Sequence, residues 1–455
     1  MTAIRVIFPV GMLGAGFPVA TIERGLALGA HAIAVDGGST DSGPYYLGTA
    51  TAKTTAEAVR RDLHVLLVGA RSAGVPLIVT SCGTSGTDAG VDWVAAMVRD
   101  IAAHERLSLR LARIYSEQNP GTVLDALSRQ AVRPLPPAGP LSPETVRSCS
   151  HIVAVMGHEP IAAALDSGAD VVLAGRATDT ASVAALALRQ GLPLGPSWHA
   201  AKTVECGGMC TTDPQSGGVL VSIDRNGFTV EPLAESAACA PTSVAAHMIY
   251  ENVDPFRMRE PSGTLDTSHA TYAALDARRV RVEGSRFELA SQYTIKLEGS
   301  TQVGYETMTL VGIRDPHILT DLDGWITRLK TVLPDRVRSV LSLCPGEYEW
   351  SVRCYGANAV LGALEPETAS PREVGVLFQV RAASQELATA VAKVANPLLL
   401  HLPLVGMTQL PSFAFAMSPA EVPRGAVYEF ALNHAVDVDD PQAMFRTEFS
   451  DVDHG

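Results

Sequence analysis

Residues Gly168–Gly208 read GADVVLAGRATDTASVAALALRQGLPLGPSWHAAKTVECGG. Ala169–Ala174 is a short apolar run rich in β-branched residues, the pattern of a buried parallel strand. Gly175 ends it. Ala181–Leu188 is then a run of strong helix formers, apolar on every side and so expected to be buried. Arg176, Thr178 and Asp179 fall between strand and helix, at the strand's carboxyl end. Ligands bind there in open α/β sheets, and helix N-termini favour anions. Lys202, Glu205 and Cys206 follow in a second polar group flanked by glycine. Two readings stand side by side: Asp179 caps the helix and pairs with Arg176, or these groups bracket a binding site.

Outward from this unit the same pattern repeats. Ile4–Val10 reads as a strand, and Gly11, Gly14 and Gly16 open the turn after it. Their GxxGxG spacing misses the dinucleotide fingerprint, so the glycines serve close packing as readily as phosphate binding. Ala32–Val35 is a second strand, ending in DGGSTDSGPYYLG. This loop puts Asp36, Ser39, Thr40 and Asp41 together. Asp36 and Asp41 are the carboxylates that would hold a hard cation such as Mg²⁺, with an Asx-turn loop as the alternative. Thr54–Ala73 reads as a helix and Leu77–Thr80 as a third strand, ending in SCGTSGTDAGVDW with Cys82, Thr84 and Ser85. Leu109–Tyr115 is a fourth strand and Ile152–Met156 a fifth. Strand and helix alternate about six times, which predicts an α/β fold with a mostly parallel, doubly wound sheet; a (β/α) barrel is the alternative.

Ser216–Pro232 changes character to a hairpin with an Asn-Gly turn. Asp254–Ser268 reads as irregular, so the domain boundary is expected at 255/256. Residues 1–255 would carry the site, and 256–455 would form a smaller α+β C-terminal domain. In that second part Arg279–Phe287 reads as a hairpin turning at Gly284. Tyr293–Glu298 alternates with period two. Lys296, Glu298 and Arg353 would then form a polar stripe, either a wall of the crevice or a solvated sheet face.

Bulk properties narrow the class. The chain has 455 residues, 47% hydrophobic and 18% charged, with a net charge of −13. That composition suits a packed enzyme-like domain pair and argues against nucleic-acid binding, which rests on Lys and Arg at phosphates. Seven scattered cysteines are no disulfide framework and fit a reducing cytoplasm. The N-terminus lacks a signal-peptide pattern, and no apolar run reaches the ~18 residues of a membrane span. A homo-oligomer is the base-rate expectation.

Several runs together resemble the acyclic terpene utilisation A family, a domain of unknown function. They are DGGSTDSGPYYLG, GADVVLAGRATDTA, WHAAKTVECGG, SVAAHMIYENVDPFRMREPSGTLDTS, RRVRVEGSRF, YTIKLEGS, EYEWSVRCYGANAVLGALEP and SPAEVPRGAVYEF, in order along nearly the whole chain. The resemblance implies a place in catabolism through acyl-CoA intermediates. It also implies a small companion domain, here expected as a separate chain because nothing after Glu448 resembles one. The stretch ECGGMCTTDPQSGGV departs from the family's apolar or Gly-rich pattern, so Cys206 and Cys210 gain no role from it.

The residues support acid/base chemistry. No GxSxG nucleophile elbow, P-loop or complete dinucleotide fingerprint occurs. Glu205, Lys202 and Asp179 are the catalytic candidates, with Lys202 or Glu205 as base. Arg176, which would clamp a carboxylate, joins Ser39, Thr40, Thr84, Lys296 and Arg353 as substrate-binding candidates; Asp36 and Asp41 are the metal candidates. The expected activity is a lyase of hydratase/dehydratase type acting on a branched or unsaturated carboxylic acid or its CoA ester. The competing class is a non-catalytic subunit that binds an acyl-CoA or organic acid and partners the small companion. A hydrolase using Cys82 or metal-activated water is a third reading.

Overall fold

The apolar runs form the centre of a ten-stranded sheet in the computed structural model, which describes residues 3–366 and 371–453. Five parallel strands make that centre, in spatial order Ile4–Phe8, Ala32–Asp36, Leu77–Thr80, Val171–Ala174 and Leu109–Tyr115. Both faces are apolar, as a parallel strand requires. Val6, Ala34, Ile78, Val172 and Ile114 pack beneath Glu159–Asp166, Ala181–Arg189 and Leu194–Val204. The alternating residues Ile7, Ile33, Val79, Leu173 and Leu111 face Val19–Ala27, Ala56–Ala73 and Asp88–Glu105. Helices therefore cover both faces.

Antiparallel strands flank this core. The expected hairpin Val219–Ile223 and Gly227–Pro232 adds beside Ile4–Phe8. Arg446–Val452 returns from the end of the chain to pair with Leu109–Tyr115. The strand order runs between two edges without a closing pair among the described residues, so the sheet is open and the barrel finds no support.

Three local expectations change. His151–Val155 is a strand, but it leaves the main sheet and pairs antiparallel with Lys296–Ser300. Val280–Glu283 and Arg286–Leu289 flank Gly284 yet enter different sheets, so they form no hairpin. Asp254–Ser268 is ordered: Arg257–Glu260, Gly263–Asp266 and Arg286–Leu289 make a three-stranded antiparallel sheet. The first two changes follow from pairing with strands remote in sequence, and the hairpin in the third is completed by Arg286–Leu289; local alternation cannot specify such partners.

The chain separates into two compact units. One comprises Met1–Thr301 with Phe430–Gly455; the other is Gln302–Glu429. The expected break at 255/256 lies inside the first. The second unit is α+β: Tyr348–Tyr355 and Val374–Ala382 pair antiparallel, and Leu322–Leu341 and Gln385–His401 cover Val376, Phe378 and Val380 around buried Trp325. No helix among the described residues is long and apolar enough to cross a membrane.

Candidate active site

Parallel strands bring their carboxyl ends to one edge, and there the loops crowd together. Ser116, after Leu109–Tyr115, accepts the Arg176 N–H at 2.7 Å and donates its hydroxyl to Gly86 O at 2.9 Å. Gly86 has φ +68, and a Cβ on it would lie 2.1 Å from the Arg176 nitrogen. Only glycine permits that approach.

Arg176 is thereby pinned, and its buried guanidinium meets protein carboxylates. Its Nε donates to Glu298 Oε2 at 3.1 Å. Nη1 reaches Ala177 O at 2.7 Å, with Ser81 Oγ and Asp179 Oδ1 both at 3.3 Å. Thr40 Oγ1 donates to Glu298 Oε2 at 2.9 Å, and Lys296 Nζ lies 2.6 Å from Oε1. Burial raises the Glu298 carboxyl, but Arg176, Lys296 and the Thr40 hydroxyl outweigh it and hold the group down at about 2. Burial works against the Arg176 charge, whereas Glu298, Asp179 and Asp36 sustain it. Arg176 is therefore the centre of a buried ion-pair network, with Nε and Nη1, donors expected to clamp a substrate carboxylate, bonded to Glu298 and Asp179. Asp36, at the end of Ala32–Asp36, is buried beside the network. Burial and the Asp179 charge push it well above the usual carboxylate range.

A second group sits at the end of Leu194–Val204. Lys202 Nζ donates to Glu205 Oε1, both side chains being buried. Burial, together with the Asp179 and Glu260 carboxylates, pushes Glu205 up against the pull of Lys202. Burial also opposes the Lys202 charge, but Glu205, Cys206 and Asp179 keep it protonated. Lys202 Nζ lies 5.7 Å from the centre of the Tyr250 ring, which stacks on His247 at 5.5 Å.

Glu260 completes this group and was not singled out in the sequence. It ends Arg257–Glu260, where Thr180 Oγ1 donates to its Oε1 at 2.7 Å; Oε2 is buried without a partner. Burial raises its carboxyl to about 8, despite hydrogen bonds from Thr180 and Thr178. Asp179, with 30% of its side chain exposed, joins the two groups: it bonds Arg176, and its charge acts on Asp36, Lys202, Glu205 and Glu260. The one available signal for Glu260 was the Met258/Glu260 alternation, both inward on a strand that reads as loop.

Other candidates fall elsewhere. Ser39 Oγ donates to Asp41 Oδ2 at 2.8 Å and accepts the Asp41 N–H, so the pair makes a local turn at the surface. Asp36 and Asp41 thus have different surroundings, and the one group of three donors able to hold a metal among the described residues is Glu205, Cys206 and His247. Thr84 is buried and its hydroxyl accepts the Lys53 N–H at 2.9 Å. Arg353 is exposed on Tyr348–Tyr355, in the second unit. Cys82 is buried, and burial with the Asp36 charge pushes its thiol far up, against a nucleophile. The Gly14 and Gly16 N–H groups both donate to buried Asp62 Oδ2, at 2.8 and 2.9 Å, so they are occupied within the protein.

The acyclic terpene utilisation family profile, AtuA, matches residues 50–432, most of the chain. The chain belongs to the acyclic terpene utilisation family. No curated protein matches it.

Proposed function

We propose that this edge is the active site of a lyase that adds or removes water next to a carboxyl or thioester group, on a branched or unsaturated acid or its CoA ester. The observation that carries the reading is a cluster of buried titratable groups around Asp179, one of them kept protonated near neutrality. Glu260 is held protonated near neutrality at about 8, beside a Lys202 ammonium paired with Glu205. A proton held on Glu260 and the ammonium of Lys202 give the site an acid and a cation beside the Glu205 carboxyl.

In the direction of dehydration, Glu205 takes the proton alpha to the carbonyl. The electron pair moves into the enolate, whose charge faces the Lys202 ammonium. The enolate then expels the β-hydroxyl, which leaves as water with the Glu260 proton. Asp179 is the solvent-reachable member through which the protons return from Glu205 to Glu260. The Arg176–Glu298 network holds Asp179 in place. The catabolic setting of the family is consistent with an acid or acyl-CoA substrate.

The test is a mass-spectrometric screen of the purified protein against hydroxy acids, unsaturated acids and their CoA esters. A product differing by one water, absent with Glu205→Gln, supports the reading. An unchanged panel with an acid or acyl-CoA co-purifying intact would replace it with the binding-subunit reading, and the small companion chain would then be added to the assay.

A further inference from the structure

We propose that Glu205, Cys206 and His247 form a binding site for a divalent transition-metal ion of the zinc class. Each residue offers one ligand atom, and these atoms all lie within 4.8 Å of one another. Tetrahedral ligands at about 2.0–2.3 Å from a shared ion stand roughly 3.3–3.8 Å apart, so closing the set takes a shift of about 1 Å or less.

The second observation is independent of that spacing. His247 is 5% exposed, and its Nε2 is buried with no hydrogen-bond partner. Buried ring nitrogens are ordinarily satisfied, and His247, whose ring approaches a thiol and a carboxylate, keeps one without the partner an ion would supply. The Glu205 carboxylate is not exhausted, because Lys202 takes Oε1.

The backbone holds the donors in place before any ion arrives. Glu205 and Cys206 are adjacent at the end of Leu194–Val204, and Gly207 follows with φ +61. A Cβ at Gly207 would lie 2.9 Å from Val10 Cα, so the turn is clamped beneath the loop that follows Ile4–Phe8. His247 comes from the turn after Pro241–Ala246 and is backed by the Tyr250 ring.

Donor chemistry selects the ion. Sulfur and imidazole nitrogen with one carboxylate suit zinc or cobalt, whereas magnesium takes oxygen. On binding, the Cys206 S–H bond breaks, the sulfur pair forms the S–metal bond and the proton goes to solvent. Three protein ligands leave a fourth position open. This site is distinct from the Asp36/Asp41 magnesium expectation; it shares Glu205 with the lyase reading, but it rests on the donor geometry and the open His247 nitrogen.

The experiment uses the full chain, treated with a chelator and then titrated with Co²⁺, with Zn²⁺ measured by metal analysis after dialysis. One ion per chain is expected, with a thiolate-to-cobalt charge-transfer band that Cys206→Ser abolishes. His247→Gln is expected to weaken binding about tenfold or more, and excess Mg²⁺ to displace nothing. Circular dichroism checks each variant; if Cys206→Ser does not fold, His247→Gln carries the test. Absence of binding, or stoichiometric binding that neither folded variant alters, overturns the proposal. Cobalt binding in a protein inactive across the substrate panel leaves the metal site standing and removes the lyase reading alone.

Discussion

The Nε of Arg176 lies 3.1 Å from Oε2 of Glu298, joining residues 122 positions apart inside the protein. A guanidinium and a carboxylate so deeply buried are tolerable only as a pair, and each is further bonded by hydroxyls and charges around it. Removing one member strands the other. Glu298→Ala is expected to cost about 3–5 kcal/mol in urea unfolding. The double change Arg176→Met with Glu298→Leu should recover much of that loss; a mild Glu298→Ala variant would show that water already reaches the pair.

The same pair sets an acid limit. The Glu298 carboxyl is lowered from 4.5 to about 2, so its stabilisation is present above 4.5 and lost as the pH falls through about 2. Unfolding followed by urea midpoint against pH should show this loss in the native protein and a weaker acid dependence in Glu298→Gln.

Glu260 has the opposite sign. Its carboxyl is raised from 4.5 to about 8, so folding is favoured below 4.5 and that contribution disappears as the pH rises through 8. Glu260→Gln keeps the Thr180 contact and cannot ionise. The variant is expected to lose less stability than the native protein between those two values. Equal slopes would place the Glu260 proton elsewhere. Once a substrate is known, the same change should lower the rate sharply, and the residual rate should lack an alkaline limb near 8.

Gly86→Ala tests the crowding of loops. A Cβ would collide with the Arg176 backbone nitrogen at 2.1 Å, with φ already at +68. A stability loss on the order of 3 kcal/mol is expected, together with loss of turnover because Arg176 and Asp179 shift together. Native stability in this variant would mean that the two loops do not touch in solution.

Cysteine labelling separates the thiols. Cys82 is buried and held protonated, whereas Cys344 is exposed. Alkylation of the native protein followed by peptide mass analysis should mark Cys344 and spare Cys82, and Cys82→Ser should keep full activity. Rapid labelling of Cys82 would reopen the thiol-hydrolase reading.

Much of the central sheet was legible in the sequence because its signals are local. Short apolar runs capped by Gly, Ser, Thr and Asp mark Ala32–Asp36, Leu77–Thr80, Leu109–Tyr115 and Val171–Ala174 as buried strands with polar ends. The same locality groups Arg176, Asp179, Lys202 and Glu205, since each lies within a few residues of the element that carries it.

What only the tertiary structure decided are the partners. Glu298 faces Arg176 because Lys296–Ser300 pairs with His151–Val155, a strand that local pattern assigns to the main sheet. Glu260 enters the site on a hairpin strand whose partner Gly263–Asp266 is itself held by Arg286–Leu289, and the last strand, Arg446–Val452, closes on Leu109–Tyr115. Alternation of apolar and polar residues determines that a strand has two faces. Which strand lies beside it, and so which charge a buried arginine meets, depends on packing that no short stretch of sequence contains.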